Sequence, residues 1–187
     1  MAKVNVKFKK LTPEAELPKY AHPGDLGMDV KATEIEYDPE KDVYIYHTGL
    51  ACETKKSVGL LGFVRSSNYK TDCYLTNHVG VIDSAEYRGE IQFRFKNRTS
   101  MAVRIEISAL REWAMLPWYK RMFTSYEEIY NKYSSFYSTN GLQFKPYDLG
   151  DKIGQFVVIE TPEVSIKQAK KLSETSRGEG GHGSTGK

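Results

Sequence analysis

The sequence predicts an all-β domain of sandwich or jelly-roll type, interrupted near its C-terminal end by a partly helical insert. Three observations carry this. Most of the first 109 residues fall into short, roughly alternating runs rich in Val, Ile, Tyr and Phe, broken by Gly, Pro, Asn and Asp. A further run, KIGQFVVIE at 152–160, is closed by Thr161-Pro162 and reads as one more strand. Between them, 39 residues (110–148) hold 11 of the chain's 23 aromatic residues and follow a different rhythm.

Strands are expected at 4–8, 35–37, 43–46, 58–64, 90–95, 103–107 and 152–160. Many short strands with frequent turns favour two packed sheets over alternating strands and helices. Within 110–148, Met122, Tyr126, Ile129, Tyr130 and Tyr133 recur at helical spacing, and Ser125 stands three residues before Glu128, the form of a capping box. A helix over about 125–135 follows, ended by Ser134-Ser135 and by the turn residues at 138–141. The core is thus expected from 1–109 and 149–172, the insert at 110–148, and a polar, glycine-laden arm at 173–187.

Composition narrows the classes of function. At 187 residues, 40% hydrophobic and 27% charged, one soluble domain fits and a large multidomain enzyme does not. The apolar runs are too short to span a bilayer, and the N-terminus lacks the apolar stretch of a secretion signal, so an intracellular, cytoplasmic protein is expected (host cytoplasm if phage- or virus-encoded). Cys52 and Cys73 lack metal or redox spacing and read as buried thiols. The net charge of +3 is scattered, which suits an anionic small molecule and gives no footprint for specific nucleic-acid binding.

The densest polar run lies between Arg65 and Glu90. Arg65 with Ser66 and Ser67, just after a strand, offers guanidinium and hydroxyl donors to phosphate oxygens, although the same pattern serves a polar strand-to-loop transition. Asp83 follows the apolar pair Val81-Ile82 and is expected at the end of a buried strand, aimed at a water as a general base; a turn-forming aspartate is the plainer reading. His22, His47, His78 and His182 are scattered, without metal-ligand or triad spacing, which favours a water nucleophile over a side-chain one. The glycines of the arm could order around phosphate, or leave it a disordered tail.

Five segments, in order, resemble the motifs of the trimeric dUTPase family, the deoxyuridine triphosphate nucleotidohydrolases. They are AHPGDLGMDV (21–30), VRSS (64–67), NHVGVID with YRGEI (77–83 and 87–91), GDKIGQF (150–156) and RGEGGHGSTG (177–186). The resemblance spans the chain except the insert. It implies a distorted jelly-roll protomer in a homotrimer, with interfacial sites closed by C-terminal arms. It also implies magnesium-dependent hydrolysis of dUTP to dUMP and pyrophosphate, limiting uracil in DNA and supplying dUMP for thymidylate synthesis.

Carried over position by position, the resemblance makes Asp83 the general base. Asn77 and Gly80 meet the uracil, Tyr87 packs on the deoxyribose, and His182, where many members have Phe, stacks on the base. Arg65, Ser66, Ser67, Gln155, Arg177, Gly183, Ser184 and Thr185 hold phosphate, and Asp29 acts on Mg²⁺ indirectly, through water, or supports the arm. Three residues, Ser84-Ala85-Glu86, fill a spacer that is usually two, so the turn must bulge. Val64 replaces a usual Pro and Gly154 a usual Ala. Two rivals remain: a dCTP deaminase of the same fold, disfavoured because Arg94 stands where that family has its catalytic Glu, and a regulatory binding protein acting through the insert. Trp113 and Trp118 give the insert the residues of a protein interface, against a reading in which Tyr126, Tyr130 and Tyr133 pack on the protomer itself.

Overall fold

In a computed structural model, which describes residues 4–176, the chain forms three antiparallel sheets and one helical hairpin. A four-stranded sheet runs in the order β4 (Glu34–Asp38), β5 (Val43–His47), β10 (Gln92–Asn97), β8 (Cys73–Leu75). A five-stranded sheet runs β2 (Lys19–Tyr20), β3 (Met28–Lys31), β11 (Lys152–Glu160), β7 (Val58–Phe63), β9 (Gly80–Ile82). A small third sheet pairs β1 (Lys7–Lys10) with β6 (Leu50–Glu53). The expected β-rich, jelly-roll type of architecture is therefore present.

The core is filled from both large sheets. Tyr44, Tyr46, Phe93 and Phe95 on one side meet Val30, Leu60, Ile153 and Phe156 on the other, all buried. Phe93 packs on Phe156, the rings tilted by 34° and 5.7 Å apart between centres. That contact explains Gly154: a Cβ there would meet the Phe93 ring at 2.3 Å. Cys52 and Cys73 are free and buried, and burial pushes both thiols up from their ordinary pKa.

The helical segment differs from its expected form in several respects. Residues 103–107 are not a strand but lie within α1 (Met101–Met115). The alternation of Val103, Ile105 and Ile107 resembles a strand, yet Met101, Ile105 and Ala109 are the residues buried, four apart, on one helix face. Ser100 accepts a bond from Val103 N–H, and Asp42 Oδ2 accepts Met101 N–H at 2.8 Å, so the helix starts where its first donors find partners. The boundary at 109/110 thus falls inside α1. A short α2 (Trp118–Arg121) precedes α3 (Tyr126–Thr139), whose capping box of Ser125 and Glu128 is formed as the sequence predicts. However, α3 runs through Ser134-Ser135, and Met122 stands outside it, 69% exposed.

Helices α1 and α3 pack as a hairpin. Tyr126 donates to Glu106, Tyr133 to Glu112 at 2.8 Å, and Lys132 pairs with the same Glu112 at 2.7 Å. Trp113 is half-buried, edge-on to Tyr126 with Arg121 above its ring, while Trp118 and Phe123 project into solvent. The chain returns through a 3₁₀ turn, Gly141–Phe144, which docks on the β core before β11.

Candidate active site

The polar residues singled out in the sequence gather into two separate recesses, on opposite faces of β11: Phe156 lines one, and Gln155 and Val157 the other. The first, about 450 Å³, is lined by Asn77, Gly80, Asp83 and Tyr87 together with Phe93, Arg94 and Phe156. The second, about 640 Å³, is lined by Asp29, Arg65, Ser66 and Gln155 with Gly24, Asp25 and Gly27. Ser67 is half-buried and is not among the lining residues. Arg177, His182, Gly183, Ser184 and Thr185 lie outside the described residues.

The first recess exists because the chain changes sheets. β8 pairs with β10 and β9 with β7, so the four residues between them cross from one large sheet to the other. The crossing is tight: His78 has φ of +60°, and its N–H donates to Leu75 O at 2.9 Å. Asn77 and Gly80 are thereby held at the mouth between the sheets.

Asp83 follows β9, but β9 is an edge strand with Val81 69% exposed, and Asp83 is exposed in the protomer. The expected buried strand end is therefore corrected: among the described residues, the five-stranded sheet has no further strand beyond β9 to cover it. The longer spacer after Asp83 is absorbed as a closed turn. Asp83 O accepts from both Glu86 and Tyr87 N–H, at 3.0 and 2.9 Å. Ser84 is fully buried, its hydroxyl 2.7 Å from that of Thr54, and Arg88 donates to the carbonyls of Ser84 and Ala85. Tyr87 then returns over Gly89, where a Cβ would meet its hydroxyl at 2.3 Å, and donates to Glu90 O. The bulge keeps Tyr87 on the recess.

The second recess is built by register. Asp29 on β3 and Phe63 on β7 flank Gln155 on the central strand β11, so Asp29 and Gln155 share one face of the sheet. Arg65, two residues beyond Phe63, reaches the same face and donates through Nε to Asp29 Oδ1 at 2.8 Å. Gln155 donates to Val64 O and lies over Gly27, where a Cβ would meet its Oε1 at 2.3 Å. Lys152, which the sequence reading missed, stands 2.7 Å from Asp29 Oδ2. That oxygen is buried and accepts no aligned hydrogen bond, so the contact is an ion pair without hydrogen-bond geometry.

Glu90, Gln92 and Arg94 also line the first recess; the sequence reading used Arg94 only against the deaminase and gave Glu90 and Gln92 no role, because only the fold brings them to the same recess as Asn77 and Gly80. Glu90 accepts Gly49 N–H and sits 2.8 Å from His47 Nδ1, while Glu36 lies 3.5 Å from Nε2. For His47, burial pulls the pKa down, but Glu90 and Glu36 outweigh it and leave the ring raised above its ordinary 6.5. For Glu90, burial pushes up, and His47 and Gly49 N–H together hold it below its ordinary 4.5. The raised His47 contributes stability that is full below pH 6.5 and lost as pH rises through its folded value. The lowered Glu90 contributes stability present above pH 4.5 and lost as pH falls through its own. Full strength lies between. His47→Gln is expected to flatten the wild-type loss of Tm from about pH 6 to 8, about 2–4 °C for about 1 kcal/mol. Thermal melts of both proteins across that range check it; parallel curves would refute the linkage.

Among the described residues no group of three or more His, Cys, Asp or Glu could hold a metal ion, and the Asp29 carboxylate already faces two cations. An Asp29 carboxylate so occupied fits a cation that arrives on a substrate's own oxygens and water. No helix among them is long and apolar enough to cross a membrane.

Two packed sheets, one recess with an exposed carboxylate, an amide and a tyrosine, and a second one carrying Arg65, Ser66 and Gln155 define a jelly-roll protein with polar small-molecule recesses as the class. The family model for dUTPase matches residues 13–109. The deoxyuridine 5'-triphosphate nucleotidohydrolase of Clostridium tetani is 30% identical over 189 residues, covering all of both chains. That of Desulfitobacterium hafniense is 31% identical, covering 98% of this chain and 96% of its own. Among solved structures, a point mutant of the dUTPase of Staphylococcus bacteriophage 80alpha, with dUpNHpp, superposes with a TM-score of 0.65 at 18% identity over 97% of this chain and 98% of that one. The dUTPase of phage phi11 of S. aureus, described as showing a species-specific insert, gives 0.58 at 17% identity over 91% and 99%. The chain belongs to the dUTPase family: it is a dUTP diphosphatase that hydrolyses dUTP to dUMP. Trimers are the assembly known for this family.

Proposed function

We propose that this chain acts on the magnesium salt of dUTP in a homotrimer, with Asp83 as the general base. The observation that carries it is the shared lining of one recess by Asn77, Gly80, Asp83 and Tyr87; a second recess of the protomer carries Arg65, Ser66 and Gln155. Asp83 takes a proton from water as its oxygen bonds to the α-phosphorus; the bond from that phosphorus to the α,β-bridging oxygen breaks, and pyrophosphate leaves. Magnesium, when bound with the triphosphate, neutralises its charge.

Asn77 and the backbone of the 77–80 crossing pair with the uracil edge, and a pocket shaped around C5–H excludes thymine. Tyr87 packs on the deoxyribose. Arg65, Ser66, Ser67 and Gln155 bind phosphate, with Asp29 orienting Arg65 and acting on the cation only through water. Arg177, Gly183, Ser184 and Thr185 add the outer phosphate contacts from the arm, and His182 stacks on the base. Pyrophosphate release from a panel of dUTP, dTTP, dCTP and UTP tests the reading: dUTP should exceed each of the others by at least ~10²-fold, and equal rates would sink it. Ammonia release from dCTP would instead revive the deaminase.

A second activity of the insert has support of its own. Met115, Trp118, Met122 and Phe123 are each at least two-thirds exposed at the tip of the α1–α3 hairpin. Apolar and aromatic side chains so displayed suit a protein partner.

A further inference from the structure

The insert returns to the β core through a residue, Tyr147, that is hydrogen-bonded to the 3₁₀ turn beginning at Ser66. Tyr147 is buried, 8% exposed. Its backbone is fixed by a reciprocal pair: Tyr46 Oη donates to Tyr147 O at 2.9 Å and accepts Tyr147 N–H at 3.0 Å. Its ring packs against Tyr46 and Phe95, at 6.1 and 5.3 Å between centres. From this fixed position its hydroxyl donates to Asn68 Oδ1 at 2.7 Å.

Asn68 is the middle of the 3₁₀ turn Ser66–Lys70, which begins at the phosphate residues. Its N–H donates to Arg65 O at 2.9 Å, its side-chain amide to Cys73 O at 3.1 Å, and its own carbonyl accepts from Thr71 N–H and hydroxyl. With no side-chain cap at its start, the turn depends on Asn68 for its anchorage to β8 and to the insert's return. Burial pushes the Tyr147 hydroxyl up to about 12, so it remains a donor throughout the working range.

We infer that Tyr147 is a positioning residue for phosphate binding, holding through Asn68 the turn that presents Arg65 and Ser66, so that the foot of the insert and the phosphate recess move as one unit. This rests on the phosphate-binding reading of Arg65 and Ser66. It gives part of the insert a task inside the enzyme, separate from anything its exposed tip does.

Tyr147→Phe keeps the ring and removes the bond. It is expected to raise KM for dUTP about three- to tenfold with kcat within about twofold, the effect of a hydrogen bond worth about 1 kcal/mol, and to leave the affinity for deoxyuridine, which has no phosphate, unchanged. Asn68→Ala should reproduce the KM rise, and the double variant should be no worse than the stronger single one. A purely structural role would lower Tm and weaken dUTP and deoxyuridine alike. Wild-type KM in Tyr147→Phe, equal loss for both ligands, or additive effects in the double variant would overturn the inference. Ser66→Ala separates the two layers: if it raises KM for dUTP while Tyr147→Phe does not, only the inference falls; if it has no effect, the phosphate reading falls and takes the inference with it.

Discussion

Asp83→Asn is expected to lower turnover of dUTP by ~10²–10⁴-fold while leaving affinity for a non-hydrolysable dUTP analogue within about twofold. The separation follows from how the residue is held. Its place is set by its backbone, since Asp83 O accepts from Glu86 and Tyr87 and the next residue, Ser84, is locked in the core against Thr54. None of these contacts uses the Asp83 carboxylate, which is exposed at the rim of the first recess. The amide keeps the shape and loses only the proton acceptor, and an exposed, isosteric change should shift stability by less than about 0.5 kcal/mol. Single-turnover pyrophosphate release and analogue titration on the same preparation check both halves. Near-normal turnover removes Asp83 as the base; lost analogue binding makes it a ligand instead.

The parts of this site that were legible in the sequence are those whose chemistry and spacing lie close together along the chain. Asn77, Gly80, Asp83 and Tyr87 fall within eleven residues and line one recess. Lys152 was not legible, although Asp151-Lys152 stands in a recognised motif. What makes it a partner of Asp29 is the register shift of β11 on β3, between Lys152 and Gly154. Likewise Glu90, Gln92 and Arg94 lie in or beside a foreseen strand, but nothing local says that the 77–80 crossing will close over them.

The fold divides in the same way. β11 was foreseen residue for residue because nine consecutive residues carry a strand signal. β2, β3, β6 and β8, of two to four residues each, were missed, since windows that short hold no period and their pairing is decided across the sheet. α1 was misread because β-branched alternation and a four-residue repeat coexist in MAVRIEISA. The choice is made by Asp42, held at φ of +51° in the distant β4–β5 turn, whose carboxylate caps the helix.

Removing residues 110–148 and joining the ends is expected to abolish folding, whereas replacing only the hairpin tip, 115–123, by a short polar linker should leave dUTP hydrolysis within about twofold. The wider cut begins inside α1 and takes out the groups that close the β core. Tyr147 belongs to the buried cluster and Phe144 packs against it. Losing one such aromatic costs about 3–5 kcal/mol. The carbonyls of Gly141 and Phe144, which satisfy Tyr44 and Asn97, would go as well, and each buried group left without a partner costs a further ~1–3 kcal/mol. Burial already raises the Tyr44 hydroxyl to about 12, so ionisation offers it no escape. Together these losses match the whole stability of an ordinary domain, about 5–15 kcal/mol. The tip carries no such burden: Met115, Trp118, Met122 and Phe123 are each at least two-thirds exposed. Circular dichroism and size-exclusion mass of both variants, with pyrophosphate release from the tip variant, decide the matter. A folded, active trimer lacking 110–148 would show that the insert is an appendage; an inactive but folded tip variant would place the tip in the reaction, against its position at the far end of the hairpin from Tyr147.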